Sequence, residues 1–280
     1  KVNLGKVGKW IIATVLSICV VFFCIGPMIS FFFESLLPNP GDYSSGFTFK
    51  YWISKDVIRN DYHGIFYEPK VWEALKGSVL LSFLCAILAG TIGLLIGYAV
   101  SKKRKSKFAN AVNGLAFFPY LLPSISLSAT FMLLSMKIKW LYALPFLTCV
   151  ILGTLKYIPF ASRSSLNAMM QLSGEIEEAA IIQNIPWVKR MFGIIIPIQK
   201  SSILSGFLLP FMTCLRELTL FMLLCDQFKI MTTAMDYFDE MGLYAFSSGM
   251  NLILIITILI FNALVNKLTG ASIDKGVGGN

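Results

Sequence analysis

Long apolar blocks alternate with short polar segments along the chain. The first block runs from about Trp10 to Phe33, the second from Leu75 to Ser101, the third from Ala111 to Met136. A fourth covers Leu141 to Tyr157, a fifth runs from beyond Pro197 to about Leu224, and a sixth covers Tyr244 to Asn266. At 1.5 Å per residue, most of these are long enough to cross a hydrocarbon core as helices. The pattern predicts an all-α membrane protein of six transmembrane helices. Pro27 is expected to kink the first span, and Pro119 and Pro123 to break the third. The fourth span is short, and Pro145 and Pro159 are expected to make its ends irregular.

Residues 173–200 differ in character, being amphipathic and charged between two spans. Ser173 suits a helix N-cap, and Glu175, Glu177 and Glu178 place negative charge where the helix dipole favours it. Asn184 suits the left-handed position after a helix. Ile185, preceding a proline, is pushed away from helical angles, and Pro186 fits the first position of a new helix. The stretch therefore reads as helix, sharp turn, helix, lying outside the membrane.

Composition supports the membrane reading: 56% of residues are hydrophobic, 14% are charged, and the mean hydropathy is +0.72. The net charge of +9 does not point to nucleic acid, because the basic residues sit in short loops between apolar blocks. Lys1, Lys6 and Lys9, the cluster Lys102, Lys103, Arg104, Lys105 and Lys107, and the basic residues of 156–200 mark one side as cytoplasmic. Both termini are expected there. The first block is too long for a removable signal peptide. Six cysteines (Cys19, Cys24, Cys85, Cys149, Cys214, Cys225) fall in or beside apolar blocks and read as small buried hydrophobes, with neither disulfide nor zinc expected. His63, in a polar and aromatic external loop over 34–72, reads as a solvated side chain. Ala86 with Gly90, Ala89 with Gly93, and Gly93 with Gly97 form a small-residue stripe that invites close helix approach.

Glu178, Ala179 and Ala180, followed by Asn184, Ile194, Ile196 and Pro197, resemble the EAA loop of the membrane subunits of binding-protein-dependent ABC importers. The spacing matches throughout; Asn184 replaces the family's Gly and Ile196 its Leu. The resemblance covers roughly 75–267 and implies the type I importer permease fold. It divides the chain into an N-terminal span with external loop (1–74), a permease core (75–267) and a loose tail (268–280). It further implies a coupling helix that docks on a separate ATPase, with Glu178, Ala179, Ala180, Asn184, Pro186 and Pro197 as coupling residues.

No Gly-x-x-x-x-Gly-Lys-Ser/Thr pattern occurs, so ATP would be bound by the partner and this chain would be a transport subunit without its own ATPase site or cofactor. The implied partners are two ATPase subunits, a second permease copy or paralogue, an extracytoplasmic solute-binding protein and membrane lipid, in a bacterial cytoplasmic membrane. Fused twelve-span relatives exist, and the chain is compatible with being one half of such a protein. The segment 118–128 is similar to a Pro-x-x-x-Pro segment near the family's substrate pathway, which makes Tyr120, Pro123 and Ser126 candidates for its lining. Arg216 and Glu217, adjacent charges in an apolar block, are candidates for a gate or a structural role. The surrounding CLRELTLFMLL is similar to the branch importing ferric iron and related small solutes such as thiamine or phosphonates. Polyamine and sugar permeases of the same family, and an ion-gradient-driven secondary transporter, are the alternatives.

Overall fold

The computed structural model describes residues 5–58, 61–103 and 105–269. Lys1, Arg104 and the tail from 270 onward, all drawn on above, lie outside the described residues. Among the described residues the regular structure is entirely helical. Four helices are long and apolar enough to cross a membrane: Val7–Glu34, Pro69–Lys102, Pro145–Gln171 and Tyr244–Lys267. Two bent pairs, Lys107–Leu121 with Ser124–Lys137 and Trp187–Ile198 with Lys200–Leu215, raise the number to six when each pair is one span. We label these S1 to S6 in chain order: S1 7–34, S2 69–102, S3 107–137, S4 145–171, S5 187–215 and S6 244–269.

The chain divides into two compact units. One comprises 1–72 and 234–255. In S1 a π-helical segment, Val21–Ile25, precedes Pro27 in place of a sharp break, so the extra residue is inserted just where the proline withholds its N–H. Cys19 and Cys24 lie exposed on S1, unlike the buried Cys85, Cys149 and Cys214. The external loop packs on aromatic residues of 234–255 in the same unit: Tyr62 meets Phe238 edge-on at 5.0 Å, and Phe238 meets Phe246 at 4.5 Å. His63 is half-buried rather than freely solvated, with Nδ1 2.8 Å from the Lys55 carbonyl oxygen. Buried Glu68 accepts from the backbone N–H groups of His63 and Lys70, holding the entry to S2.

The second unit comprises 73–233 and 256–280 and is built on S4. The small-residue stripe of S2 lies against it. A methyl group added at Gly93 would meet Ala161 Cβ at 2.5 Å and the Ser162 nitrogen at 2.6 Å; one at Gly97 would meet the Leu166 nitrogen at 2.6 Å. Gly90 faces the Phe207 ring of S5 in the same way. On the other side, Gly206 of S5 approaches Ser164, whose hydroxyl donates to the Ser202 carbonyl at 2.9 Å.

This packing explains two departures from expectation. S4 does not end near Tyr157 but continues through Pro159 to Gln171. Close neighbours on both sides of the helix, S2 at Ala161 and Ser162 and S5 at Ser164, keep it continuous past the missing N–H. Pro119 likewise sits inside a helix, and S3 breaks only at Leu122 and Pro123, where the two halves meet at 95°. The pre-proline residue Leu122 takes ψ 136°, which ends the first half.

The contact geometry of S2 predicts that Gly93→Val forces backbone apart and lowers stability by about 1–3 kcal/mol or more. Gly114→Ala, where the added methyl meets open space, leaves stability unchanged or slightly raised. Thermal unfolding of the detergent-solubilised protein distinguishes the two.

Candidate functional site

The loop between S4 and S5 folds as its sequence demands. Ser173, at φ −61° and ψ 132°, accepts at Oγ from the Glu175 N–H at 3.3 Å and caps a helix over Gly174–Ile182. Glu175 and Glu177 fall in its first turn. The helix ends when Asn184 adopts φ 54°. The Ile185 N–H donates to the Ala180 carbonyl at 3.1 Å and the Asn184 N–H to the Ile181 carbonyl at 2.9 Å, the paired bonds of a Schellman ending. A β-branched residue at φ 54° would be strained, whereas Asn is among the residues that accept it.

Pro186 does not occupy the first helical turn as expected. It is the N-cap residue, with ψ 151°, and its carbonyl accepts from the Arg190 N–H at 3.0 Å, so Trp187 begins the next helix. A second π segment, Met191–Ile195, precedes Pro197, as in S1. The sharp bend of 87° follows two residues after Pro197, at Gln199.

Burial separates the residues of this loop. Glu178 and Ala179 are exposed, as are Asn184 and Pro186, whereas Ala180 is 4% exposed and packs within the chain. Ile182, Trp187 and Val188 add exposed apolar surface to the loop. The carboxylate that turns inward is Glu177, 5% exposed, which accepts from the Tyr98 hydroxyl at 2.5 Å and pairs with Lys102. Burial opposes its ionisation, but the Lys102 ammonium and Tyr98 hydroxyl outweigh that and hold its carboxyl below the usual range. The sequence gives no sign of this, because both partners lie at the end of S2, distant in the chain.

The second candidate region is the break in S3. Tyr120 lies on its first half, Pro123 caps the second half, and Ser126 is exposed three residues further on. The break frees backbone carbonyls, and Lys156 of S4 meets them. Its Nζ lies 2.5 Å from the Leu122 oxygen and 3.5 Å from those of Pro119 and Tyr120, and 5.8 Å from the Tyr120 ring. A cation at a helix C-terminus is also favoured by the dipole.

The neighbouring Tyr157 donates to Glu217 Oε2 at 3.0 Å. S5 ends at Leu215, not near Leu224, and Arg216 and Glu217 open a run of turns. Glu217 Oε1 accepts from the Thr219 hydroxyl at 2.9 Å and the Leu220 N–H at 3.2 Å, which folds the chain back where apolar sequence would otherwise extend the helix. Among the described residues no ion pair joins Arg216 to Glu217, and Arg216 is exposed. Tyr120 and Glu217 are thus linked through adjacent residues of S4, with Pro123 following the Leu122 carbonyl that Lys156 meets; Ser126 and Arg216 are not part of that linkage. Lys156 is the functional candidate that sequence reading passed over.

Helices with two broken spans and an ordered helix–turn–helix between S4 and S5 define an integral membrane protein of the type I importer permease fold. The profile of the binding-protein-dependent transport system inner membrane component family matches residues 89–272, and the chain belongs to that family, the ABC importer permeases. No curated protein matches it by sequence. Its fold is similar to a bacterial ABC transporter involved in import of the acidic polysaccharide alginate, at 15% identity over 93% of this chain and 96% of that one, TM-score 0.63. It is also similar to a chain of the bacterial alginate ABC transporter in complex with an alginate pentasaccharide-bound periplasmic protein, at 14% identity over 95% and 97%, TM-score 0.66.

Two outcomes follow from the geometry. Lys156→Met leaves the carbonyls of the S3 break without their donor and lowers thermal stability by about 1–3 kcal/mol, with partial recovery in Lys156→Arg. Asn184→Gly leaves the loop's resistance to proteolysis intact, whereas Asn184→Val, costing about 1–2 kcal/mol at this turn, lowers it.

Proposed function

We propose that the chain forms half of the solute pathway of an ATP-driven importer, completed by a second copy or a paralogue and driven by two separate ATPase subunits. The exposed face of the 174–182 helix is the docking surface, and the bend at Gln199 within S5 joins that lever, through residues 187–198, to the helix Lys200–Leu215. Support comes from the form of the loop: a capped helix, a Schellman turn and a second helix meeting the span at 87° give a short rigid arm. Glu178 and Ala179, with Ile182 and Trp187, are presented outward, where a partner's groove can receive them. In this reading the loop and both termini are cytoplasmic, in agreement with the basic residues at 102–107. An extracytoplasmic solute-binding protein delivers the solute, a reading supported by the alginate ABC transporter of similar fold, which is in complex with an alginate pentasaccharide-bound periplasmic protein.

For the solute, the resemblance around Arg216 and Glu217 favours ferric iron or a similar small solute, with thiamine, phosphonate, polyamine and sugar as the competing cargoes. Tyr120, Pro123 and Ser126, at and after the break in S3, are proposed to line or gate the path. An ion-gradient-driven transporter is the rival mechanism. It is disfavoured because Glu217, the carboxylate in the pathway region, is already engaged by Tyr157, Thr219 and the Leu220 N–H.

Co-purification of an ATPase subunit with the tagged chain is the deciding experiment, and its failure would overturn the reading. Ala179→Arg should reduce ATPase recovery at least about tenfold, the loss expected when a bulky charge enters a close contact. Ala180→Arg is a poorer probe, because Ala180 is packed within the chain and the change disturbs the loop itself. Uptake of radiolabelled ferric iron into vesicles, challenged by each competing cargo, identifies the solute. Uptake that follows membrane potential without ATP would instead favour the rival.

A further inference from the structure

The coupling helix is attached to more than the two spans that flank it. Glu177 is the carboxylate on its inward face. It reaches two residues of S2 that share one helical face, Tyr98 and Lys102, four apart. The surroundings reinforce this junction. Lys102 lies 5.6 Å from the Tyr98 ring centroid, and the Tyr98 ring packs edge-on against Trp187, the first residue after the turn, at 6.0 Å. Beneath it, Leu94 of S2, Ala168 and Met169 of S4, and Met191 and Ile195 of S5 form a buried cluster, with Tyr98 packed against it. Arg190 turns its guanidinium to the Ile185 carbonyl at 3.1 Å, on the same side of the loop.

A buried carboxylate costs desolvation, and an ion pair without good packing around it does little for stability. Here the pair joins the end of a 34-residue helix to a 9-residue one that, in the reading above, receives force from outside. A lever connected only to its own flanking segments can pivot at Ser173 and at the Asn184 turn. A third attachment removes that freedom. We propose that Glu177, held by Lys102 and Tyr98, is a positioning residue that straps the coupling helix to S2, so that the lever and S2 move as one body when the ATPase moves the lever. This rests on the proposed ATPase docking but goes beyond it, since docking concerns the opposite face of the helix.

The test measures the distance from the lever to S2 within one chain of the ATPase-bound complex. Spin labels go on Gln183→Cys, just past the docking helix, and Leu80→Cys, both exposed, with Cys19, Cys24 and Cys225 replaced by Ser and the labelled chain diluted with unlabelled copies. Distances are read without nucleotide and after trapping with ATP and vanadate. With Glu177 and Lys102 intact the distance stays the same in both states. In Glu177→Gln, and independently in Lys102→Met, it changes by at least about 2 Å, the scale of helix shifts in switching proteins. The double variant Glu177→Lys with Lys102→Glu restores the fixed distance.

A distance that changes in the unmodified pair, or stays fixed in both single variants, overturns the strap. So does a charge-swapped chain that behaves like the single variants, because packing alone would then explain them. ATPase recovery and hydrolysis in each preparation separate this outcome from failure of docking: an unmodified chain that recovers no ATPase overturns the importer reading, whereas single variants that bind the ATPase and hydrolyse ATP while their distance changes support the strap.

Discussion

Backbone polar groups in a hydrocarbon environment must find partners within the protein, and the arrangement of this chain follows from that requirement. Prolines at 123, 159 and 197 withhold a backbone N–H within or beside the spans, and each demands a local answer. At the S3 break the answer is Lys156, a cation that meets three carbonyls at once. Around Pro159 it is dense packing on both sides of the helix. Ahead of Pro197 it is a π segment that absorbs one residue. Irregular backbone therefore survives where a neighbouring element supplies donors or bulk, and S4, which supplies most of both, is central to the second unit.

S4 also connects the two candidate regions. Its middle carries Lys156 and Tyr157, which hold the S3 break and Glu217, while its end leads straight into the capped helix at Ser173. One continuous helix of 27 residues thus runs from the proposed pathway to the proposed docking arm. Small residues at Ala161, Ser162 and Ser165 let S2 lie against it along Gly93 and Gly97, so the two helices share a long close contact. Stiff elements in close contact pass displacement along with little loss.

Much of this was legible in the sequence where the signal is local. The cap at Ser173, the left-handed turn at Asn184 and the small-residue stripe of S2 depend on neighbours within a few positions or on one face, and all appear. The misread features depend on distant partners. S4 looked short because Lys156, Pro159 and Arg163 resemble the end of a span. Only the S3 carbonyls, more than thirty residues away, and the Phe117 ring beneath Arg163 show how these residues fit in the helix. S5 looked long because LTLFMLL is apolar; the carboxylate of Glu217 turning back on Leu220 is what ends it. Likewise three glutamates in one short helix look alike until Tyr98 and Lys102 select Glu177.

The two π segments carry a geometric consequence. Each inserts one residue more than an α-helical turn holds, which rotates the following side chains by roughly a quarter turn relative to the preceding ones. Met191 and Ile195 face the buried cluster shared with S2 and S4, while the stretch beyond them is free to present a differently phased edge to its surroundings. Within S5 a single added residue thus serves as an azimuthal offset between the portion near the loop and the portion that enters the bilayer.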